Sequence, residues 1–332
     1  MRTRKLVAVA AALCLLTSCG QAVTVPARTT LEPLRPPGMD DTRGALAPTQ
    51  CPPGTGPDFV PERSSLKPLG RSPAQAPPGS TLAEIVRRGR LVAGVDQNLN
   101  RSSSLNPRTG ALEGFDVDVV KTIAKELFGD ENAVTLVEVN FSNNFPKLAA
   151  EDVDLLADSI TITCERRFTK KVMFSSDYFI SGQRVLVPKA SGVKSIGDLK
   201  GKRVCAPNGT TSMGKLKEPS LGVVPVGVRE FPDCLVLMQR GQVEASSTTD
   251  SVLLGLKDLD PATDIVGERF SEEHHGLAMR ESDEELVRFV NGVLERMRAD
   301  GTWKRLYEKW LRDPDEPGPV PEPPPAHYID EE

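Results

Sequence analysis

Proline is concentrated at the two ends of this chain. Of its 28 prolines, 13 fall between Gly20 and Ser80 and seven between Asp313 and Glu332. The 232 residues from Thr81 to Arg312 keep only eight. Proline removes a backbone donor and interrupts helix interiors and central strands, so only the middle block can build long hydrogen-bonded elements. Within that block, short β-branched runs alternate with helical periodicity. Leu91–Val95 reads as a buried strand ending at Asp96. Val117, Val120, Ile123, Ala124 and Leu127 repeat at helical spacing, with Asp116 as the N-cap. Val134–Val139 reads as a strand, Phe145–Ala150 as a short helix and Leu155–Ala157 as a strand. Val185–Val187 and Arg203–Cys205 open a second unit, followed by a helix at Leu235–Met238 and a strand at Val243–Ser247. Helices at Glu284–Met297 and Trp303–Leu311, divided by Gly301, close the block. The alternation predicts an α/β fold with parallel-type sheets covered by helices, and the length favours two lobes.

The ends set the compartment. Arg2, Arg4 and Lys5 precede the apolar run Leu6–Leu16. That run is shorter than the roughly 20 residues a membrane span needs, but it suits a signal-peptide core. Leu16-Thr17-Ser18-Cys19 resembles a bacterial lipobox, with small residues before a cysteine that takes up lipid. The expected segments are a lipoprotein signal peptide over 1–19, a partly extended Pro-rich tether over 20–80, and a disordered acidic Pro-rich tail over 313–332. Losing Arg2, Arg4 and Lys5 takes the formal net charge from −5 to −8. Such a balance argues against nucleic acid and against a polybasic membrane patch. Lipid on Cys19 is then the expected tie to the bilayer, on the extracytoplasmic face of the cell membrane.

Cysteine and histidine usage excludes some chemistry. Apart from Cys14 and Cys19, the cysteines are Cys51, Cys164, Cys205 and Cys234. An even set in an exported chain predicts two disulfides, in any of three connectivities. No pair has zinc-finger spacing and histidine is scarce, so no metal is expected. His274, His275 and His327 lack triad company, so nucleophilic catalysis is not expected, and no cofactor is implied.

Polar runs follow several of the strands, which is where ligands bind in open α/β sheets. Asp158-Ser159-Ile160-Thr161-Ile162-Thr163-Cys164-Glu165-Arg166 sets hydroxyls at alternate positions before a guanidinium. Hydroxyls and backbone groups can grip a small polar ligand while arginine clamps a carboxylate through two parallel bonds. Upstream, Gly114-Phe115-Asp116-Val117-Asp118 opens a helix. Downstream, Val204-Cys205-Ala206-Pro207-Asn208-Gly209-Thr210-Thr211-Ser212 repeats the strand-to-polar-turn plan. It lacks the Gly-Lys-Ser/Thr ending of a P-loop.

Together these blocks resemble the amino-acid-binding family of extracytoplasmic solute-binding proteins that serve ABC importers. The resemblance runs from about Thr81 to Leu311. It implies a two-lobed periplasmic-binding-protein-like fold (type II) with two hinge crossings, near Gly182 and Gly276. Lobe one would hold 81–182 plus 277–312, and lobe two 183–276. Arg166 matches the position that clamps the ligand's α-carboxylate, and Ser159 and Thr161 match contacts to its amino group. Gly209, Thr210 and Thr211 would add backbone and hydroxyl donors to the carboxylate. Relatives hold the ammonium with an Asp at the position that here is Thr249. Asp250 stands one residue later and is the expected anion, with hydroxyls around Thr249 as the other reading.

Selectivity is expected from the loop Gln97–Leu105. It offers Gln97, Asn98, Asn100 and Arg101 but no aromatic, with Arg101 placed to meet a second carboxylate. Phe141 and Phe145 would supply apolar walls. The ligand implied is polar or acidic: glutamate, glutamine, aspartate or asparagine. Lobe membership favours Cys205 with Cys234, leaving Cys51 with Cys164 to staple the N-terminal arm to lobe one. The expected protein is a monomeric lipid-anchored receptor that presents its closed form to an ABC permease. Two alternatives share the fold: a sensor subunit feeding a signalling membrane protein, and an exported cyclohexadienyl-dehydratase-like enzyme using Glu165.

Overall fold

The computed structural model describes residue 51, residues 59–68, residue 70, and residues 76–316 and 318–329. The expected signal peptide over 1–19, its Cys19 and the tether up to residue 50 lie outside the described residues.

Two five-stranded sheets form the framework. The first has the order Val134–Glu138, Leu91–Val95, Leu155–Leu156, Ala278–Arg280, Val172–Phe174. The second has the order Val224–Val228, Arg203–Pro207, Ala245–Thr249, Gln183–Pro188, Thr263–Val266. Leu91–Val95 and Arg203–Pro207 each lie parallel between two neighbours and are almost wholly buried, hence their apolar runs. The sheets are mixed, not purely parallel as the alternation suggested. One strand in each opposes its neighbours: Gln183–Pro188 and Ala278–Arg280. Each follows a crossing between the sheets. A chain that leaves one sheet at its carboxyl end arrives at the carboxyl end of the other and must run back along it. The crossings themselves, Phe179–Ser181 and Glu273–His275, pair antiparallel side by side.

Helix Phe115–Phe128 buries Val117, Val120, Ile123 and Ala124. Its cap is Gly114, not Asp116. Gly114 has φ 138°, and a Cβ there would lie 2.3 Å from the Ser102 carbonyl oxygen, so glycine is required. Asp116 is freed to turn inward. In the second lobe, Cys205 bonds to Cys234 of helix Phe231–Gln239, pinning helix to strand inside the core. Closing that loop contributes roughly 3–4 kcal/mol in the chain-entropy model. Cys51 bonds to Cys164.

The Pro-rich ends are more ordered, where described, than a tether and a disordered tail. Leu66 is buried in the first core, and Asn291 Nδ2 donates to Ser65 Oγ and the Leu66 carbonyl at 2.7 and 2.6 Å. Phe59 meets Phe168 edge-on at 5.9 Å. In the tail, Tyr328 is buried and donates to Glu295 at 2.9 Å, and Arg298 Nε donates to the Pro324 carbonyl at 2.8 Å. The Ile329 N–H reaches the Ser65 carbonyl, so arm and tail meet on the first lobe. Apart from the short 3-10 helix Pro61–Arg63, neither forms a helix or strand over the described stretches. Their few large apolar side chains still offer surface to bury, which an average composition hides.

Candidate functional site

The facing carboxyl ends of the two sheets and the paired crossings line a partly open cleft. The first lobe lines it with Leu99, Phe141, Asn144, Arg166 and the stretch Asp158–Thr161. The second lobe adds Thr210, Thr211, Phe231, Thr248 and Thr249, and the crossing adds Glu273 and His275. The cleft opens past Phe145, Lys170, Met213 and Lys217.

Ser159 stands at φ 44°, a left-handed backbone that costs a non-glycine residue about 1–3 kcal/mol. Asp116 compensates. Its Oδ2 accepts from the Ser159 N–H and hydroxyl at 2.9 and 3.0 Å, while Tyr178 donates to Oδ1 at 2.6 Å. The Ser159 hydroxyl is therefore held away from a ligand, leaving its carbonyl for that role. Burial pushes the Asp116 carboxyl up, against these bonds. Arg166 follows in a wide-wound turn, Glu165–Thr169. Its Nη1 donates to the Thr161 carbonyl at 2.6 Å and its guanidinium lies 5.8 Å from the Phe145 ring centre. Burial lowers its pKa, while the charges of Glu273, Glu165 and Asp158 oppose that shift.

From the second lobe, Thr210 caps helix Thr211–Leu216: its Oγ1 accepts from Met213 N–H at 3.1 Å and donates to the Pro207 carbonyl at 2.7 Å. The expected hydroxyl donor is thus engaged, and only backbone donors of this turn remain to meet an anion. Thr211 instead turns its hydroxyl to Glu273.

Glu273 is the residue that the sequence reading missed. It is 4% exposed. Its Oε2 accepts from Thr161 Oγ1 at 2.6 Å and Thr211 Oγ1 at 2.8 Å. Its Oε1 accepts from Gln183 Nε2 at 2.9 Å and Ser271 Oγ at 3.2 Å. Burial drives its pKa up, but the bonds from Thr161, Gln183 and Thr211, with His275 nearby, outweigh burial and leave it lowered. Glu273 is therefore an ionised carboxylate at the meeting of both lobes. Its signal was the doublet Glu272-Glu273 at the expected second crossing, hidden by attention to strand ends.

Two predicted residues lie elsewhere. Asp250 turns to the far side of the hinge, where Oδ2 pairs with Arg269 Nε at 2.5 Å beside Arg184 and Tyr307. A strand ending at Thr249, two residues beyond the expected Ser247, points Thr249 into the cleft and Asp250 out of it. Arg101 pairs with Asp258 of the second lobe and donates to the Arg312 carbonyl at 2.8 Å, outside the cleft. The rest of its loop is also engaged outside. Gln97 donates to Glu138, and Asn100 to the Gly255 carbonyl of helix Asp250–Leu259. Only Leu99 of this loop lines the cleft. Asp158 and Asn144 line it too, and Asn144 Nδ2 donates to Asp158 Oδ2 at 2.9 Å.

The architecture and cleft now have a counterpart in known proteins. The model of bacterial extracellular solute-binding proteins, family 3, matches residues 91–313. The chain belongs to that family. Among family members, the Bacillus subtilis ABC transporter glutamine-binding protein GlnH is 34% identical over 234 residues, covering 70% of this chain and 85% of that protein. A glutamate/aspartate import solute-binding protein of Salmonella typhimurium is 27% identical, over 71% of this chain and 81% of its own length. Among solved structures, a mutant of the arginine-binding protein from T. maritima superposes with TM-score 0.63 at 31% identity, covering 70% of this chain and 99% of that one. The ancestral amino-acid-binding protein AncCDT-1, a precursor of cyclohexadienyl dehydratase, superposes with TM-score 0.64 at 35% identity, over 70% and 100% of the two chains. This family 3 chain is therefore an amino-acid-binding solute-binding protein with an α/β, two-lobed fold.

Proposed function

We propose that this family 3 protein is a lipid-anchored extracytoplasmic receptor that closes on one free α-amino acid and presents it to an ABC-type membrane partner. One observation carries the reading. A guanidinium and an ionised carboxylate, Arg166 and Glu273, lie in one cleft and are joined through Thr161. An α-amino acid presents the complementary pair of charges on adjacent groups. Arg166 takes the α-carboxylate, together with backbone donors from the turn at Gly209, Thr210 and Thr211. The ammonium meets the Ser159 carbonyl and the hydroxyls of Thr161 and Thr249. Because Thr161 and Thr211 donate to Glu273, their lone pairs are turned toward a donor, and the charge of Glu273 stands behind them.

Closure follows from this division. Thr161 and Arg166 belong to one lobe and Thr211 and Thr249 to the other, so a ligand touching both favours the closed state. Lipid on Cys19 would hold the receptor at the outer face of the membrane, and a Cys19→Ala chain should then appear in the medium instead of the membrane fraction. A dehydratase-type reaction would need a proton-transferring carboxyl beside the reacting ring. Glu165, the sequence candidate, sits at the cleft mouth 3.8 Å from Lys170 Nζ. The test is calorimetry with the twenty amino acids. Ligand at 100-fold over its Kd should also stabilise the fold by about 2.7 kcal/mol. Binding of no amino acid, with turnover of prephenate or arogenate in its place, would sink the receptor reading.

A further inference from the structure

The Asp158 end of the cleft is acidic, and Arg166 answers its charge only in part. Asp158 is 1% exposed and lines the cleft; Asn144 satisfies one oxygen, but Oδ1 has no partner among the described residues. Asp96, at the end of the central strand Leu91–Val95, is fully buried. Its Oδ1 accepts from the Asn98 N–H at 2.6 Å, and its Oδ2 has no partner among the described residues. Glu230, just before helix Phe231–Gln239, pairs Oε1 with Arg229 at 3.7 Å, and its enclosed Oε2 has no partner among the described residues. Asp96 lies close enough to repel each of the other two. The Asp158 carboxyl is pushed well up, first by burial and then by Asp96, and Glu230 is raised to about 7, first by burial and then by Asp96. Buried polar atoms normally find a partner, so three idle acceptors in one region mark a missing donor.

The surroundings narrow the kind of donor. Arg166 is the only cation among the residues lining this part of the cleft, and it offsets Asp158 only in part. A bound metal is not indicated, because no group of three suitable His, Cys, Asp or Glu side chains occurs among the described residues. Leu99, Phe141 and Phe231 wall the same cleft, the two rings meeting edge-on at 5.6 Å. These walls suit an aliphatic stem or the face of a guanidinium. A second carboxylate on the ligand would add like charge to a site already short of cations. A side-chain amide brings two donors but also a carbonyl oxygen, which would face acceptors.

We propose that this end of the cleft receives a cationic side-chain terminus, so that the ligand is a basic amino acid, with Asp158 as its selecting residue. The proposal rests on the reading of Arg166 and Glu273 as the zwitterion site. It replaces the polar or acidic ligand that the loop Gln97–Leu105 suggested.

The experiment is calorimetry on the full chain with its disulfides intact, using L-arginine, L-lysine, L-ornithine, L-glutamine, L-asparagine, L-glutamate and L-aspartate. A basic amino acid should bind at least roughly tenfold more tightly than any amide or acid, because charge-assisted bonds exceed neutral ones by about that factor. The order among the three bases tells guanidinium from ammonium. Repeating the titration in buffers of different ionisation heat should show protons released on binding, as carboxyls give up protons to face a cation. Asp158→Asn should weaken the basic ligand by roughly tenfold or more and leave glutamine within about threefold. Asp96→Asn is the second variant, and each melting curve checks folding. Glutamine or glutamate as the tightest ligand, without proton release, overturns this proposal and leaves the receptor reading intact. If no amino acid binds, the receptor reading fails and this proposal falls with it.

Discussion

Glu273 and the group around Asp158 are both buried carboxylates at the cleft, yet they stand in opposite conditions. At Glu273 four donors surround one carboxylate and its pKa falls. At Asp96, Asp158 and Glu230 three carboxylates share too few donors and their pKa values rise. The contrast teaches how to read a cleft. The satisfied end is preorganised by the protein for a group common to every α-amino acid, while the unsatisfied end records, in negative, the group that distinguishes one ligand from another.

The largest expected effect tests the satisfied end. Arg166→Ala should weaken any amino-acid ligand by roughly a hundred- to a thousandfold, because it leaves a buried α-carboxylate unpaired. The fold should remain, since Arg166 lies in a partly exposed turn. Near-normal affinity in calorimetry would remove it from the site. Next comes Glu273→Gln, which keeps the shape and discards the charge. A loss of roughly tenfold or more is expected for all ligands alike, since a charged hydrogen bond is worth about 1.5–3 kcal/mol. An effect on one ligand class alone would dissolve the division between the two ends.

The third prediction follows pH. Asp96 is raised to about 6 and Glu230 to about 7, and Asp158 is pushed up as well, by burial and by Asp96 and Asp116 despite Asn144 and Arg166. Unfolded carboxyls titrate near 4, so the ligand-free native state binds more protons than the unfolded chain between these values. Stability from this end is therefore full at about pH 4 and lost as pH rises through the raised values. Asp158→Asn should match the parent in acid and melt higher than it in mild alkali. Glu273, with its lowered pKa, works in the opposite sense, which is why the comparison is with a single variant. Parallel melting curves across the range would show that Asp158 carries no raised pKa.

The smallest effects belong to residues outside the cleft. Asp250→Asn should change affinity by less than about threefold, because its partner is Arg269 and it does not line the cleft. Arg101→Ala removes a bridge between the lobes and should likewise shift affinity only modestly, through the open state. A tenfold loss at Asp250 would restore the anion to the position the sequence suggested.

Much of this was legible in sequence. Alternating patterns located several strands and helices to within a few residues, because buried parallel strands leave apolar runs, but they did not reveal Val224–Val228 or helix Asp250–Leu259. Arg166 and Thr161 were found because neighbouring hydroxyls and a guanidinium form one local run. Glu273 was not, because it acts on residues 112 and 62 positions away in the chain. Asp158 stands in the same run, but only the folded cleft shows one of its oxygens without a donor among the described residues. Asp116 looked like a cap, and only the close approach of Gly114 to Ser102 shows why it is not.

The Cys51–Cys164 bond has a mechanical meaning. The proposed anchor at Cys19 stands roughly thirty residues before Cys51, a leash whose fully extended reach is about 100 Å. The bond fastens that leash two residues from Arg166, on the rim of the first lobe. A pull from the membrane is therefore delivered to the lobe that carries the arginine, and the second lobe is left to swing as the free jaw.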